Sequence, residues 1–508
     1  MRLDPSVYQD LLLSLLPELV LTGWSLVLLL FVAWRHQTVR DLRIAGWLTL
    51  AALVTTAAAT WWLWWNRATI QGGGLAGMIA ADDFRWVADW IFLGAAALTV
   101  LISFAYLERE QLLAPEYYVL LVFGTLGMMV MAGGADLMVI FLGLELMSVA
   151  VYVLAGFDRR RARSAEAALK YFLLGAFASG FLLYGIALLY GATGTTNITL
   201  IGAQVSFMTQ PSLMLLAGSA LLIVGFGFKV AAVPFHMWAP DVYDGAPTPV
   251  TAFMATGVKA AAFAALFRVM MEGFGGVPAW RDILWWLALV TMIGGNLFAL
   301  AQRSLKRMLA YSSVAHAGYL LVAIAAGGSA GTSAFIVYVI AYTLMSLGAF
   351  AVLSATGRAG ESDVLIDDLA GLAGRRPWLA FALAVCMLSL LGFPGTAGFI
   401  GKWYILLAAT SAGQTWLAAI LVLTSVVSAG YYLPVIMAMY MKPEPVESAH
   451  ADVRLDRWSR SAVAAVVLGL LLFGVWPNRL FDLARSAGDS VQPAVTTTTS
   501  GQERPPPR

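Results

Sequence analysis

The sequence predicts an all-α polytopic membrane protein, and two observations support this fold class. Hydrophobic residues make up 60% of the 508-residue chain and charged residues only 12%, whereas soluble domains average about half apolar and a quarter charged residues. The apolar residues also lie in stretches of about 20 residues or more, the length that a helix needs to cross the hydrocarbon core of a bilayer. These observations exclude a soluble globular domain.

About fourteen such stretches follow one another along the chain, which is the expected number of transmembrane helices. The first begins near Leu11 and lacks a cleavage site of small residues, so it is predicted to be a retained span and not a signal peptide. The predicted spans are residues 11–33, 42–65, 86–107, 117–133, 136–157, 165–190, 212–233 with a broken continuation to 245, 249–271, 283–302, 307–327, 332–356, 377–411, 415–440 and 459–480.

The seventh and twelfth predicted spans are too long for one straight helix, and both contain helix breakers. The seventh is interrupted by PFHMWAPDVYDGAPTP and the twelfth by GFPGTAGFIG. Proline removes a backbone donor, and irregular backbone at membrane depth is tolerated only where it is buried in protein or lines a wet cavity. The two breaks therefore indicate a path for an ion or a proton.

Lysine and arginine are concentrated in alternate connections between the spans. Arg159, Arg160 and Arg161 follow the fifth span, whereas residues 191–211 and 328–331 contain no lysine or arginine. Because cytoplasmic loops carry the excess of these residues, both chain termini are predicted to face away from the cytoplasm. The tail, with its TTTT and PPP runs, is predicted to be disordered.

Spacing along the chain indicates an internal duplication. Glu145 and His316 are separated by about 170 residues, as are Lys229 and Lys402, and each unit would contain five helices, so that the second copy is inverted. The predicted domains are three N-terminal transmembrane helices (1–110), a first repeat of spans 4–8 (111–273), an inverted second repeat of spans 9–13 (280–441), a basic loop with the last transmembrane helix (442–485) and the tail (486–508).

Four ionisable residues lie deep in apolar sequence, where a charge costs about 2.5–3.5 kcal/mol or more. Glu145 and Lys229 are predicted to pair across a helix–helix contact and to act as a two-state electrostatic element. Lys259 lies far from either end of a continuous helix, and Lys402 lies beside the second break. Lysine suits proton storage because its ammonium can lose a proton when desolvated, whereas arginine remains charged. The alternatives are a structural carboxylate at Glu145 and interfacial lysines that extend to the membrane surface.

Three further residues are candidates for proton transfer. His236 lies within the first break and His316 within the tenth span, and histidine can relay protons near neutral pH. A hydrogen-bonded core histidine is the alternative for both. Lys170 follows Glu166 by four residues, which also fits an ordinary helical ion pair.

The sequence predicts no catalytic, cofactor-binding or metal-binding residues of its own. It contains no phosphate-binding loop, which argues against ATP as the direct energy source, and a single cysteine, Cys386, cannot form a disulfide or hold an iron–sulfur cluster. Any redox chemistry would therefore belong to partners, and the expected cargo is a proton or a small cation.

Motifs that occur in order over residues 110–440 carry a resemblance to a known family. They are DLMVIFLGLELMSVAVYVLAGF, FKVAAVPFHMWAPDVYDGAPTPVTAFMATGVKAA, SLKRMLAYSSVAHAGYLLV and LGFPGTAGFIGKWYIL. These motifs resemble the antiporter-like membrane subunits of bacterial respiratory complex I, the proton-translocating NADH:quinone oxidoreductase. The segment DVYDGAPTPVTAF is similar to the N-type subunit and not to its L- and M-type relatives.

The resemblance implies that quinone reduction elsewhere in a complex drives proton transfer through this chain, a non-redox subunit of a translocase. Glu145 and Lys229 would match the family's charge pair, Lys259 its central lysine, Lys402 its exit-side lysine and Lys170 a further lysine on span six.

The resemblance also implies a location, partners and cofactors. The location would be the bacterial cytoplasmic (inner) membrane, with multiple passes and both termini on the periplasmic, outer side. The partners would be the M-type antiporter-like subunit, the small subunits of the K, J and A types, and the bilayer, with no nucleic acid. NADH, FMN, iron–sulfur clusters and quinone would be bound by partner subunits. The alternatives are a subunit of a multisubunit Na⁺/H⁺ antiporter and a membrane scaffold without transport.

Overall fold

The structure is a computed structural model that describes residues 12–35, 38–66, 77–208, 210–275, 277–357, 365–443 and 456–491. These residues form helices and contain only isolated β-bridges in place of strands. Thirteen of their helices are long and apolar enough to cross a membrane, and a shorter apolar helix lies in the region of the twelfth predicted span. The predicted all-α polytopic fold is confirmed.

The helices are numbered here in chain order. They are α1 (Leu16–Trp34), α2 (Val39–Trp65), α3 (Asp83–Arg109), α4 (Glu116–Gly133), α5 (Leu137–Ala155), α6 (Ala162–Thr193), α7 (Ile198–Ser206), α8 (Leu213–Val230), α9 (Trp238–Gly245), α10 (Thr248–Gly273), α11 (Pro278–Leu300), α12 (Leu305–Ala326), α13 (Gly328–Thr356), α14 (Leu372–Arg375), α15 (Pro377–Leu391), α16 (Ala397–Ser411), α17 (Thr415–Met441), α18 (Arg457–Val475) and α19 (Asn478–Ser490).

Both predicted helix breaks are present. The seventh predicted span forms α8 and α9, and α8 ends where Ala231 adopts a left-handed conformation with φ +58°. The twelfth predicted span forms α15 and α16, and α15 ends at Gly392, whose φ of +90° favours glycine. Each break leaves backbone carbonyls at the end of the preceding helix without their intrahelical partners.

The last predicted span is shorter than expected. Helix α18 ends at Val475, and Pro477 separates it from the amphipathic helix α19, which continues to Ser490. The first residues of the tail that was predicted to be disordered, 486–490, are therefore helical. Helix α19 packs on the bundle, for example through a hydrogen bond that Ser486 donates to Asp83. Residues 492–508 lie outside the described residues.

Two helix pairs approach so closely that only glycine fits at their contacts. A Cβ added to Gly127 or Gly143 would lie less than 3 Å from the backbone of the other helix in the α4–α5 pair. The same holds for Gly295 and Gly318 in the α11–α12 pair. Small residues allow such close backbone contact in membranes. The two glycine pairs lie in the first two helices of each predicted repeat.

Helices α10, α12 and α13 form the interior of the bundle. In the most apolar 18-residue stretch of each of these helices, 100%, 94% and 89% of the residues are buried within the protein. The corresponding shares are 39% for α6 and 33% for α17. Polar side chains on these three helices are therefore shielded from lipid and must find partners within the protein.

Candidate proton-transfer site

Lys229 lies in the last turn of α8, as predicted, and only 3% of it is exposed. Its ammonium group donates hydrogen bonds to Ser148 Oγ (2.7 Å) and to the Tyr152 hydroxyl (3.0 Å), both on α5. The same nitrogen lies 5.1 Å from the centre of the Tyr152 ring. Lys229 is therefore held by neutral oxygens and an aromatic ring in the interior of the protein.

The predicted direct ion pair between Glu145 and Lys229 is absent. Glu145 accepts a hydrogen bond from Ser179 of α6, whereas Lys229 contacts Ser148 and Tyr152, one and two turns further along α5. The end of α8 thus lies beside the hydroxyl groups of Ser148 and Tyr152 and not beside the carboxylate of Glu145.

Lys259 lies on α10, immediately after a π-helical segment, Met254–Val258. It is 2% exposed, and its ammonium group donates to the Ser313 carbonyl (2.8 Å) and to the Ser313 hydroxyl on α12. The Tyr342 hydroxyl donates to Ser313 Oγ at 2.8 Å. The predicted mid-helix position is confirmed, but the helix is not uniformly α-helical, since α10 also ends in a π-helical segment, Val269–Gly273.

His316 lies one turn after Ser313 on α12 and is 1% exposed. Its Nδ1 is 2.6 Å from the Tyr338 hydroxyl of α13, and its Nε2 is 3.0 Å from the Tyr432 hydroxyl of α17. The Tyr432 hydroxyl is also 2.5 Å from Ser312 Oγ. Both ring nitrogens therefore face groups that can donate or accept a proton.

Lys402 lies on α16 and is 6% exposed. Its ammonium group donates to the carbonyls of Leu390 (3.0 Å) and Leu391 (2.9 Å), which are freed where α15 ends. It also lies 4.8 Å from the centre of the Tyr319 ring on α12. An interfacial position for Lys402, one of the alternatives above, does not fit this burial.

Sequence reasoning missed the polar row on α12 that joins these residues. Ser313 contacts Lys259, His316 follows three residues later, and Tyr319, three residues further on, contacts Lys402. Residues three apart lie on one helix face. The spacing of serine, histidine and tyrosine in AYSSVAHAGYL could have indicated this row.

Lys170 lies apart from the row and is partly exposed. Its ammonium group pairs with Glu166 and with Asp241 of α9, both at 2.7 Å, and Asp241 also pairs with Arg307 of α12 at 2.9 Å. The predicted i,i+4 pair is confirmed. Asp241 was missed, although it stands in the DVYDGAPTP segment.

His236 lies in the first break but has no hydrogen bond to Lys229 or Lys259. Its ring packs on Phe298 (6.0 Å between centres) and Tyr311 (6.4 Å). Its buried Nδ1 has no hydrogen-bond partner among the described residues. The structure therefore does not place His236 between the two lysines.

A polytopic bundle with two broken helices and buried lysines on neutral oxygens defines a class of ion-translocating membrane subunits. Comparison with known proteins agrees, because the family described as "NADH:quinone oxidoreductase/Mrp antiporter, TM" matches residues 134–428. NADH-quinone oxidoreductase subunit N of Gemmatimonas aurantiaca is 48% identical over 505 residues, covering 97% of this chain and 95% of that protein. The chain belongs to the family of NADH-quinone oxidoreductase N subunits.

Solved structures agree with this assignment. A chain of respiratory complex I from Thermus thermophilus with bound aureothin has a TM-score of 0.78 and 36% identity, covering 92% of this chain and 99% of that chain. A chain of the Mrp complex from Dietzia sp. has a TM-score of 0.82 but 22% identity, covering 94% and 97%, so that likeness concerns the fold alone. The predicted membership of the complex I N subunits is confirmed and is better supported than the antiporter alternative.

Proposed function

We propose that this member of the N-subunit family conducts protons across the membrane along Lys229, Lys259, His316 and Lys402. One observation carries the proposal. Lys229, Lys259 and Lys402 are at most 6% exposed, and their hydrogen bonds go only to hydroxyl and carbonyl oxygens, with no carboxylate in ion-pair contact among the described residues. Burial without a direct ion pair disfavours an ammonium relative to a neutral amine, so each lysine is suited to take up and release a proton.

The polar row on α12 supplies the connection between the two repeats. Lys259 contacts Ser313 at one end of the row, and Lys402 contacts Tyr319 at the other. Six residues of helix span about 9 Å. His316 lies midway, with hydroxyls at both ring nitrogens, and can therefore accept a proton on one nitrogen and release one from the other.

The remaining predicted residues have supporting roles in this proposal. Glu145 acts through space on Lys229, so that protonation from the cytoplasmic side changes the charge that Lys229 experiences. Lys170, held by Asp241, lies at the cytoplasmic end of the path. His236 offers a vacant ring nitrogen beside α11 and α12, as a lateral proton acceptor. Outward movement of one proton against 100 mV costs about 2.3 kcal/mol, which quinone reduction in partner subunits would supply.

We infer the partners, cofactors and location from family membership and from the sequence. NADH, FMN, iron–sulfur clusters and quinone belong to partner subunits, because the single thiol, Cys386, is buried and a cluster needs several ligands. The M-type subunit and the small K-, J- and A-type subunits adjoin this chain in the bacterial inner membrane. Exposed apolar residues of α6, such as Phe177, provide a surface for lipid or for a neighbour. Both termini lie on the outer side, consistent with the lysine and arginine bias.

The test uses the assembled complex in sealed vesicles. Lys259→Met keeps the length and volume of the side chain but removes its titratable group. We expect protons moved per quinone reduced to fall severalfold, while assembly is retained. Lys442→Met is the matched control, because Lys442 is 54% exposed and pairs with Asp367 at the end of α17. Normal pumping by assembled Lys259→Met complex would overturn the proposal and favour a scaffold.

A further inference from the structure

A second buried charged cluster lies where α3 begins, away from the lysine row. Arg85 is 0% exposed and donates from Nη2 to Glu18 of α1 (2.5 Å) and to the Ser14 carbonyl (3.0 Å). Its Nη1 donates to the Ala80 carbonyl at 2.7 Å. Asp89, one turn further along α3, lies 3.8 Å from Arg85 Nε, too far for a hydrogen bond.

The other arginine of this region is occupied by its own carboxylates. Arg268 of α10 pairs with Asp82 through two contacts (2.7 and 3.0 Å) and with Glu272 at 2.7 Å. Among the described residues, Arg85 is therefore the cation that faces both Glu18 and Asp89. A single guanidinium group, that of Arg85, thus lies close to two buried carboxyl groups.

Asp89 is 0% exposed, and neither of its carboxyl oxygens accepts a hydrogen bond in the described part of the chain. Glu18 Oε2 and Arg85 Nε are likewise buried without a hydrogen-bond partner. A bare carboxylate in such surroundings is strongly disfavoured, whereas a neutral carboxylic acid is far less costly. We propose that Glu18 and Asp89 share one proton around Arg85 and form a proton-binding site.

The site can adopt two charge distributions with the same total charge. With Arg85 on Glu18, as in this structure, the proton resides on Asp89. If Arg85 Nε closes the 3.8 Å gap to Asp89, the proton moves to Glu18 and the total charge is unchanged. Glycine at position 133 permits the position that Arg85 has in the structure, because a Cβ on Gly133 would lie 2.7 Å from Arg85 Nε. Two carboxyl groups that share a site in this way titrate as a pair.

This proton-binding site does not depend on the proposed lysine row. Apolar side chains line the pocket between α3 and the central helix α10, including Val87, Ala88 and Ile91 of α3 and Ala260 and Ala264 of α10. No hydrogen bond among the described residues joins Asp89 to Lys259, whose ammonium group bonds to Ser313. The site can therefore be tested whether or not the row conducts protons.

The test is infrared spectroscopy of the intact complex in membranes, where a protonated carboxyl group gives a C=O band that shifts in D₂O. Asp89→Asn removes the proposed proton carrier, so we expect loss of one such band. Glu18→Gln should also remove it, because Arg85 can then pair with an ionised Asp89. Asp367→Asn is the control and should leave the band unchanged, since Asp367 is an exposed carboxylate paired with Lys442.

Retention of the band in both Asp89→Asn and Glu18→Gln would overturn the proposal. If one variant fails to assemble, the other decides. If neither assembles, the wild-type complex with ¹³C-labelled aspartate must show a labelled protonated-carboxyl band that shifts in D₂O, and its absence would also overturn the proposal.

Discussion

The ammonium group of Lys229 and the carboxylate of Glu145 are separated by hydroxyl groups of the helix that carries Glu145. Ser148 and Tyr152 accept the hydrogen bonds of Lys229, while Glu145 is bonded to Ser179. The interaction between these two charges is therefore electrostatic and acts through space. Protonation of either group can change it without breaking a direct contact.

The first prediction concerns these hydroxyls. The double variant Ser148→Ala with Tyr152→Phe removes both oxygens that hold Lys229, and hydrogen bonds to a charged group contribute about 1.5–3 kcal/mol each. The charged form of Lys229 becomes less favourable, so we expect severalfold slower proton pumping with the assembled complex retained. Proton uptake by vesicles per quinone reduced is the measurement.

Ser25→Ala is the control for this variant, because Ser25 is equally buried but bonds only to the Leu21 carbonyl of its own helix, α1. Equal pumping by the double variant and the control would show that these hydroxyls do not govern Lys229.

The second prediction concerns His316. Tyr432→Phe removes the hydroxyl at Nε2 and Tyr338→Phe the hydroxyl at Nδ1, and each change leaves one ring nitrogen without a partner. If protons pass through the ring, either variant should slow pumping, and the two together should not slow it much further, because one interruption already blocks a serial path. The readout is again protons moved per quinone reduced.

Tyr117→Phe is a matched control, since its buried hydroxyl bonds Ser103 on α3, away from the row. Strictly multiplicative effects of the two His316 variants would argue for two independent structural roles and against a relay.

The third prediction tests the close helix contacts. In Gly143→Ala the added methyl group would meet the backbone of α4 at Met131, and such overpacking typically costs about 1–3 kcal/mol. We expect less assembled complex and a lower midpoint of thermal dissociation. Gly94→Ala should have no such effect, because nothing lies within 4 Å of its added Cβ. Equal stability of the two variants would contradict the tight packing of α4 against α5.

The sequence predicted the fold well because membrane insertion is decided by local properties. Span length and the proline and glycine breaks are each visible in one segment, as at Pro234 and Gly392. Lys229, Lys259 and Lys402 were also found this way, since any charge in an apolar span is conspicuous.

The parts of the site that were missed depend on contacts between distant segments. Tyr338 and Tyr432 look like ordinary apolar-span residues until α13 and α17 bring them to His316. The Glu145–Lys229 pair was predicted as a direct contact because sequence fixes neither the depth at which α8 ends nor which oxygen lies opposite it.

The fourth prediction separates proton transfer by Lys402 from a purely electrostatic role. Lys402→Arg keeps the positive charge but replaces a group that can lose its proton with one that effectively cannot. If Lys402 passes protons on, Lys402→Arg should impair pumping about as strongly as Lys402→Met, although the first retains the charge and the second does not. The comparison is made in vesicles with matched amounts of assembled complex.

Lys442→Arg is the control for the larger side chain, because Lys442 is exposed and pairs with Asp367 outside the row. If Lys402→Arg pumped normally while Lys402→Met did not, a fixed charge at the end of α15 would suffice. The exit step of the row would then have to bypass Lys402, and the carbonyls of Leu390 and Leu391 would serve only to hold a cation.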